Sequence, residues 1–337
     1  MAKSVRMADI AEKLGVSIVT VSKALSGKDG VGNELRNNII KVAEEMGYNT
    51  KKSDDEKKDS YFIGILNSYQ YLEKGSSFYW SLYERLLTYL LASGDLGVLE
   101  VVSENDAANL CVPKIIQDKR VDGIIAMGPF PDDYLNMLGG LNIPLVALDS
   151  YKAKFNYDYV ISDGYYGMYT MTDYLIRMGH KKIMFVGTVG ETSSISDRFY
   201  GYCRAMRDAG IIVTEDMIIP DRDNAGKISV DIPVNIKHLA TALVCNCDFT
   251  AYEVSLRLTA MGIKIPDDIS IVGFDNYILS EMSNIKITTY AVDQDGMAAA
   301  SVKQIRRRIS NPQKNRRVKI VSGEILIRDS VNDISNL

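Results

Sequence analysis

The sequence predicts a small all-α helix-turn-helix head joined to an α/β core of two lobes with parallel sheets. Three observations carry this. Residues 7–25 hold two short helical periods around a glycine, a third amphipathic period follows at 35–46, and from Tyr61 onward short apolar runs alternate with amphipathic segments. At 337 residues the chain is long enough for a head and for further domains with cores of their own.

In Met7–Leu25, residues Ala8, Ala11 and Leu14 fall on one helical face, and Gly15 offers a place to stop. Ser17 supplies an N-cap for a second helix that turns Val21, Ala24 and Leu25 inward and leaves Ile18, Val19, Ser22 and Lys23 outside. Two helices joined at Gly15-Val16-Ser17 form a helix-turn-helix, whose second helix enters the DNA major groove. The third helix, Leu35–Met46, places Leu35, Ile39, Val42, Ala43 and Met46 on one side and closes at Gly47. Spacing alone is met equally by a helical hairpin packed on a larger body. For groove reading, Ile18, Val19 and Lys23 point towards base edges, and Ser17, Thr20 and Ser22 lie nearer the backbone. The apolar pair suits thymine methyls, and Lys23 suits guanine acceptors or a phosphate.

Hydrophobic residues at 46% and charged residues at 24% are ordinary for a soluble globular protein. The net charge of −4 gives no chain-wide basicity, yet residues 1–52 hold nine Lys/Arg against six Asp/Glu, a net +3. That asymmetry fits a phosphate-facing module on an acidic body. Cys111, Cys203, Cys245 and Cys247 are scattered among apolar residues, which fits buried thiols in a reducing cytosol. Cys245 and Cys247 alternate along a strand-like run and face opposite sides, so no metal pair is expected there. No cofactor motif is present. With no apolar leader region and no long apolar run, the expected location is the cytoplasm.

Ala8-Asp9-Ile10-Ala11, Gly15-Val16-Ser17, Thr20-Val21-Ser22-Lys23-Ala24-Leu25 and Gly47-Tyr48 together resemble the N-terminal signature of the lactose-repressor (LacI/GalR) family of bacterial transcription regulators. The resemblance covers roughly the first fifty residues closely and the rest more loosely. It implies a helix-turn-helix DNA-binding domain at 1–50, a linker at 51–60 and, at 61–337, a periplasmic-binding-protein-like domain for effector binding and dimerisation. It also implies chain crossings near Ile161–Ser162, Tyr290–Val292 and Asn311–Lys314. Lobe 1 then comprises about 61–161 and 292–313, and lobe 2 about 162–291 and 314–337. In such regulators the linker carries a leucine-bearing hinge helix that orders on operator DNA. Here Asn49–Ser60 is charged, contains Asp54-Asp55-Glu56 and has no leucine to wedge between base steps. The implied protein is a repressor that binds operator DNA as a homodimer on a pseudo-palindrome, with allosteric release by an effector.

From Tyr61 the apolar runs are Phe62–Leu66, Gly97–Val102, Val121–Met127, Pro144–Leu148, Ile183–Val186, Ala242–Cys245 and Ile269–Gly273. The helical segments are Phe78–Leu91, Asn109–Asp118, Tyr165–Met178, Arg198–Ala209, Ala251–Met261 and Gly296–Ile309. Continuous apolar runs separated by helices mean parallel strands covered on both faces. The alternation is longer than one open sheet carries, hence two lobes.

In open parallel sheets, ligands bind beyond the carboxyl ends of the strands. The polar residues that follow the runs are Asn67, Ser68, Asp149, Asp248 and Asp275, and Arg198 opens a helix after the loop 187–196. Together with Phe78, Tyr79 and Trp80 they suit a sugar or sugar derivative. Carboxylates accept paired hydroxyl bonds, arginine donates in a fork, and aromatic faces cover ring C–H surfaces. The predicted effector set is Phe78, Tyr79, Asp149, Arg198, Asp248 and Asp275, with the resemblance favouring Arg198 and Asp275. Each has a plainer role open to it: caps for the acids, packing for the aromatics, an ion pair for Arg198. Asp163 is expected as an N-cap, Trp80 as core and His180 as a structural partner of backbone groups. Relatives commonly carry an asparagine where this chain has Cys247, which removes an amide from the expected site. Two histidines and no nucleophile motif leave little for catalysis, so an enzyme is not expected. The alternatives are a regulator of this fold controlled by a protein partner or a non-sugar ligand, and a solute-binding protein. The last would bring an export signal and no helix-turn-helix.

Overall fold

The computed structural model describes residues 5–25, 29–46, 48, 60–69, 78–223, 226–277 and 285–336. The chain divides into two compact units, residues 1–59 and 60–337. The first unit contains α1 (Met7–Leu14), α2 (Ile18–Leu25) and α3 (Asn33–Glu45). These close on a core centred on Ile10, Val21 and Ile39, all fully buried. Helix α1 stops at Gly15, whose φ of 66° is the left-handed conformation that glycine adopts without strain. Ser17 Oγ accepts from the Thr20 N–H at 3.0 Å, the expected N-cap of α2.

Two details of the head differ from expectation. The inward face of α1 is Met7, Ile10, Ala11 and Leu14, and Ala8 is exposed. The bulk of Ile10 sets the stripe one position away from the small alanine. In α3 the core begins at Ile39, and Leu35 is 37% exposed near the helix start. Gly47 and nearly all of the linker, residues 49–59, lie outside the described residues.

Along the second unit run β1 (Phe62–Ser68), α4 (Phe78–Ala92), β2 (Leu96–Val102), α5 (Glu104–Ala108), α6 (Lys114–Gln117), β3 (Gly123–Met127), α7 (Asp132–Gly140), β4 (Leu145–Leu148) and β5 (Asp158–Ser162). Next come α8 (Gly164–Arg177), β6 (Ile183–Val186), α9 (Ser193–Asp208), β7 (Ile218–Ile219), α10 (Ile236–Leu239), β8 (Ala242–Cys245), α11 (Asp248–Ala260), β9 (Ser270–Asp275) and β10 (Thr288–Ala291). The chain ends with α12 (Gln294–Ser310), β11 (Val318–Val321) and β12 (Glu324–Leu326).

The first sheet has the order β11-β5-β4-β3-β1-β2 and is parallel throughout. The second, β12-β10-β9-β8-β6-β7, is parallel except for the antiparallel edge strand β12. Each sheet belongs to one lobe. Every apolar run named from the sequence is a strand; the central ones are buried nearly throughout, whereas the edge strand β2 is exposed or half-buried at every residue but Val102. Strands β5, β7, β10, β11 and β12 escaped the pattern: they are short, or, like Thr288-Thr289-Tyr290-Ala291, not continuously apolar. Of the helix expected at Asn109–Asp118 only the single turn α6 (Lys114–Gln117) forms, after Pro113; α5, capped by Ser103 Oγ, ends just before the segment.

Two crossings fall at the ends of β5 and β10, after Ser162 and Ala291. The third is misplaced in the sequence reading. Val318–Val321 pairs with Tyr159–Ser162 in the first sheet, so the chain crosses at Ser322–Gly323 and not at Asn311–Lys314. Val-Lys-Ile-Val, exposed over its first three residues, gives no burial signal that a pattern would detect. One apolar cluster runs through both lobes, from Ile65 and Leu86 to Phe185 and Phe274, and includes Val292 and Val321 beside the crossings. Among the described residues, no helix is long and apolar enough to cross a membrane.

Candidate functional site

In the head, the outer face of α2 presents the residues expected to read DNA. Ile18 and Val19 are 54% and 63% exposed, and Ser17, Ser22 and Lys23 are exposed as well. Exposed β-branched side chains on a two-turn helix gain nothing from the head's own core; against a duplex they gain apolar contact with base edges. Thr20 is half-buried, and its hydroxyl lies 2.8 Å from Ser17 Oγ, so it completes the N-cap.

In the second unit the carboxyl ends of β1, β4, β8 and β9 supply the other set. Asp149 follows β4 with φ 59°, and Asp275 ends β9 with φ 96°. Left-handed backbone is costly for a residue with a Cβ, and it persists where a site over-determines it. Tyr79, in the first turn of α4, donates its hydroxyl to Asp149 Oδ2 at 2.9 Å. Phe78 packs edge-on against Tyr79 and Tyr277, with centroids 5.4 and 6.4 Å apart. Arg198 lies in the second turn of α9, which begins at Ser193 after the Thr192 N-cap and so earlier than the sequence indicated. Its guanidinium sits 4.1 Å above the Phe274 ring, and Nη1 donates to the Asn246 carbonyl at 2.8 Å. Its Nε is buried without a hydrogen-bond partner.

Asp248 opens α11 almost fully buried, with Oδ1 unpartnered and lying where a Cβ on Gly273 would collide with it. A side chain at Gly273 would therefore displace the carboxyl. Burial raises the Asp149, Asp248 and Asp275 carboxyls, and the Arg198 charge opposes the rise in all three. Asp275 is pushed up further by its neighbour Asp248, whose own pKa is raised to about 7. An unfolded aspartate titrates near ~3.9, so between roughly pH 4 and 7 the folded state holds the extra proton. Stability then falls as pH rises through that window. Asp248→Asn, which cannot ionise, is expected to melt ~3 °C or more above the parent at pH 8 and together with it near pH 4. Equal melting temperatures at pH 8 would remove the buried charge from this account.

All six predicted effector residues are thus carried by this unit, and the Tyr79–Asp149 bond and the reach of the Arg198 charge link five of them. Trp80, expected as core, is instead half-buried and outside the apolar clusters, its ring 5.6 Å from that of Tyr83. Asp163 Oδ1 caps α8, and His180 bonds Thr241 Oγ1 and the Asn332 carbonyl, both in their expected structural roles. Cys247 N-caps α11 through its sulfur, 3.5 Å from the Thr250 N–H. Asn246 does not replace the missing amide: its Nδ2 is committed to Asp221 Oδ2, the Val186 carbonyl and Thr250. The sequence reading missed Asp221, fully buried at the centre of that network, although it follows the run Ile218-Ile219-Pro220 just as the other acids follow theirs. It also missed the platform Phe274. Asn67, at the carboxyl end of β1, is fully buried with neither amide atom bonded, which its polarity in the sequence does not reveal. Among the described residues, no group of three or more metal-ligating side chains forms.

An exposed helix-turn-helix face on one unit and a two-lobed α/β cleft on the other define a DNA-binding transcription regulator. Two family descriptions match: "Bacterial regulatory proteins, lacI family" over residues 6–51 and "Periplasmic binding protein-like domain" over 172–331. The chain thus carries a lacI-family DNA-binding domain together with a periplasmic-binding-protein-like domain. It is 28% identical over 332 residues to the HTH-type transcriptional repressor PurR of Klebsiella pneumoniae, covering 96% of each chain. It is 27% identical to the HTH-type transcriptional regulator DegA of Bacillus subtilis, covering 97% of this chain and 98% of that one. Among solved structures, the transcriptional regulator CelR in complex with cellobiose aligns with a TM-score of 0.68 at 19% identity, covering 97% and 99%. A lacI-family regulator of Enterococcus faecium with bound ribose gives 0.65 at 23%, covering 81% and 99%. The lac repressor dimer bound to operator and the anti-inducer ONPF gives 0.66 at 20%, covering 98% and 100%. The relatives are regulators and not enzymes.

Proposed function

We propose that the chain is a cytoplasmic repressor whose operator affinity is set by a small polyhydroxylated effector, a sugar or sugar derivative, held between the lobes. The observation that carries this reading is Arg198. A sequestered guanidinium with an unbonded Nε, facing three carboxyls raised by burial, is an unfinished polar set that a hydroxyl-rich ligand completes. In this role Asp149, Asp248 and Asp275 accept hydroxyl bonds, Arg198 donates, and Phe78 and Tyr79 cover the ring faces. Regulators of the same fold hold ribose and cellobiose. Among the described residues, Asp149, Ser162, Ser193 and Ser194 help line a space of only about 10 Å³, and the Tyr151 N–H bonds Ser193 Oγ across the lobes at 3.1 Å. That space holds about one water. A sugar therefore enters by parting the lobes, which is the motion we assign to signalling.

The short α2 offers few base contacts, so a homodimer on a two-fold operator is part of the proposal, with Ser17, Ile18, Val19, Ser22 and Lys23 at the interface and Thr20 holding the turn. To test it, an operator is selected from a randomised duplex pool, and its binding is titrated with pentoses, hexoses, disaccharides and nucleosides. The expected ligand raises the melting temperature of the protein and shifts operator affinity by ~5–150-fold, with operator shifting ligand affinity by the same factor. If no small molecule does either, control by a protein partner becomes the better reading; Cys247 in place of an amide already points that way.

A further inference from the structure

Helix α12 ends and β11 begins in a strongly basic stretch. Eight Lys/Arg and no Asp/Glu lie between residues 303 and 319, on a chain whose net charge is −4. The stretch is built and anchored. Arg308, almost fully buried, donates Nε to Asp158 Oδ2 at 2.6 Å and Nη1 to the Pro312 and Lys314 carbonyls at 2.7 Å each. Arg307 Nη2 donates to the Asn315 carbonyl at 3.0 Å, and the Arg317 N–H to Asp158 Oδ1 at 3.0 Å. With its carbonyls turned onto guanidiniums, the loop leaves Lys314, Arg317 and Lys319 exposed.

The charges do not balance. The single carboxylate of Asp158 faces Arg308 at 2.6 Å, Arg307 at 3.5 Å and Arg316 at 4.0 Å. Burial and the neighbouring Arg308 charge press Arg316 below the usual guanidinium range. An acidic chain that concentrates uncompensated cations at one corner has made a polyanion site.

We infer that this corner of the second unit is a further DNA-contacting surface, gripping backbone phosphates of the duplex whose bases α2 reads. The partner is indicated by where the chain enters. Tyr61, at the start of the unit, lies under Arg306 at 5.1 Å, and its hydroxyl is 3.4 Å from Ser310 Oγ. The second unit therefore begins at this corner, and the twelve peptide steps from Tyr48 to Ser60 span at most ~40 Å. A duplex held by the head stays within reach of the patch. Contacts of this kind carry no sequence information; they add affinity that falls steeply with salt. The inference does not depend on the effector reading and survives its failure.

The test compares full-length protein with Lys314→Gln/Arg317→Gln/Lys319→Gln on a 40-bp mixed-sequence duplex by fluorescence anisotropy across a salt series. These side chains are outside the Asp158 ion pairs. The slope of log affinity against log salt is expected to fall by ~2–3 per chain, about 0.9 for each lost phosphate contact, with affinity at low salt down at least ~10-fold. The charge-retaining Lys314→Arg/Arg317→Lys/Lys319→Arg should match the parent. On unaltered protein, the duplex should slow acetylation of Lys314 and Lys319 but not of Lys237, which is on the other lobe. An unchanged slope overturns the inference, as does equal acetylation with and without duplex. Equal protection by inorganic tripolyphosphate marks a general anion site and also overturns it.

Discussion

Arg198→Ala is expected to weaken effector binding by at least ~10²-fold while operator affinity without effector stays within about threefold of the parent. The size follows from what the side chain does. It is the cation common to Asp149, Asp248 and Asp275, and it caps the Asn246 carbonyl from above the Phe274 ring. Truncating one partner of a buried, hydrogen-bonded charge set costs ~2–5 kcal/mol, much of it from charges left unpaired. Arg198→Lys keeps the charge but loses the planar fork and the stacking, so an intermediate loss of ~10-fold is expected. Isothermal titration with the sugar that gives the largest thermal shift measures both. If Arg198→Ala binds that sugar as the parent does, Arg198 is a structural ion pair and the site lies elsewhere.

Ile39→Ala should abolish operator binding without touching the second unit. Ile39 is fully buried at the meeting of the three head helices, and removing such a side chain costs ~2–5 kcal/mol. A domain of about fifty residues has little more stability than that. The head core contains only residues of the first unit, so no contact of the second core is lost. Calorimetry should show loss of one transition, with the other unmoved, and operator affinity should fall at least ~10²-fold to the non-specific level. Ile39→Val, which costs only ~0.5–1.5 kcal/mol, should keep both. A single merged transition that moves as a whole would show that the two units unfold together.

The head was almost wholly legible because its signals are local. Gly15 terminates, Ser17 caps, and a 3.6-residue period sorts Val21 and Ala24 from Ile18 and Val19 within one turn. Even so, period alone put Ala8 on the wrong side of α1, where the bulk of Ile10 decides. In the second unit the buried central strands announced themselves as apolar runs, whereas β11 did not, and with it went the place of the third crossing.

The site divides the same way. A polar residue directly after an apolar run located Asp149, Asp248 and Asp275, since strand ends are the only places in a parallel sheet where such residues meet a cleft. The same rule would have found Asp221. What the amino-acid order settled by itself was which elements form, which class of regulator they make and which polar groups end the strands, because each depends on neighbours a few residues away. Which groups are left unsatisfied was decided only by the tertiary structure. Asn246 turned away to Asp221, Asp248 pressed into the space beside Gly273, and three arginines gathered on Asp158 are consequences of burial and of pairings between residues far apart in the chain.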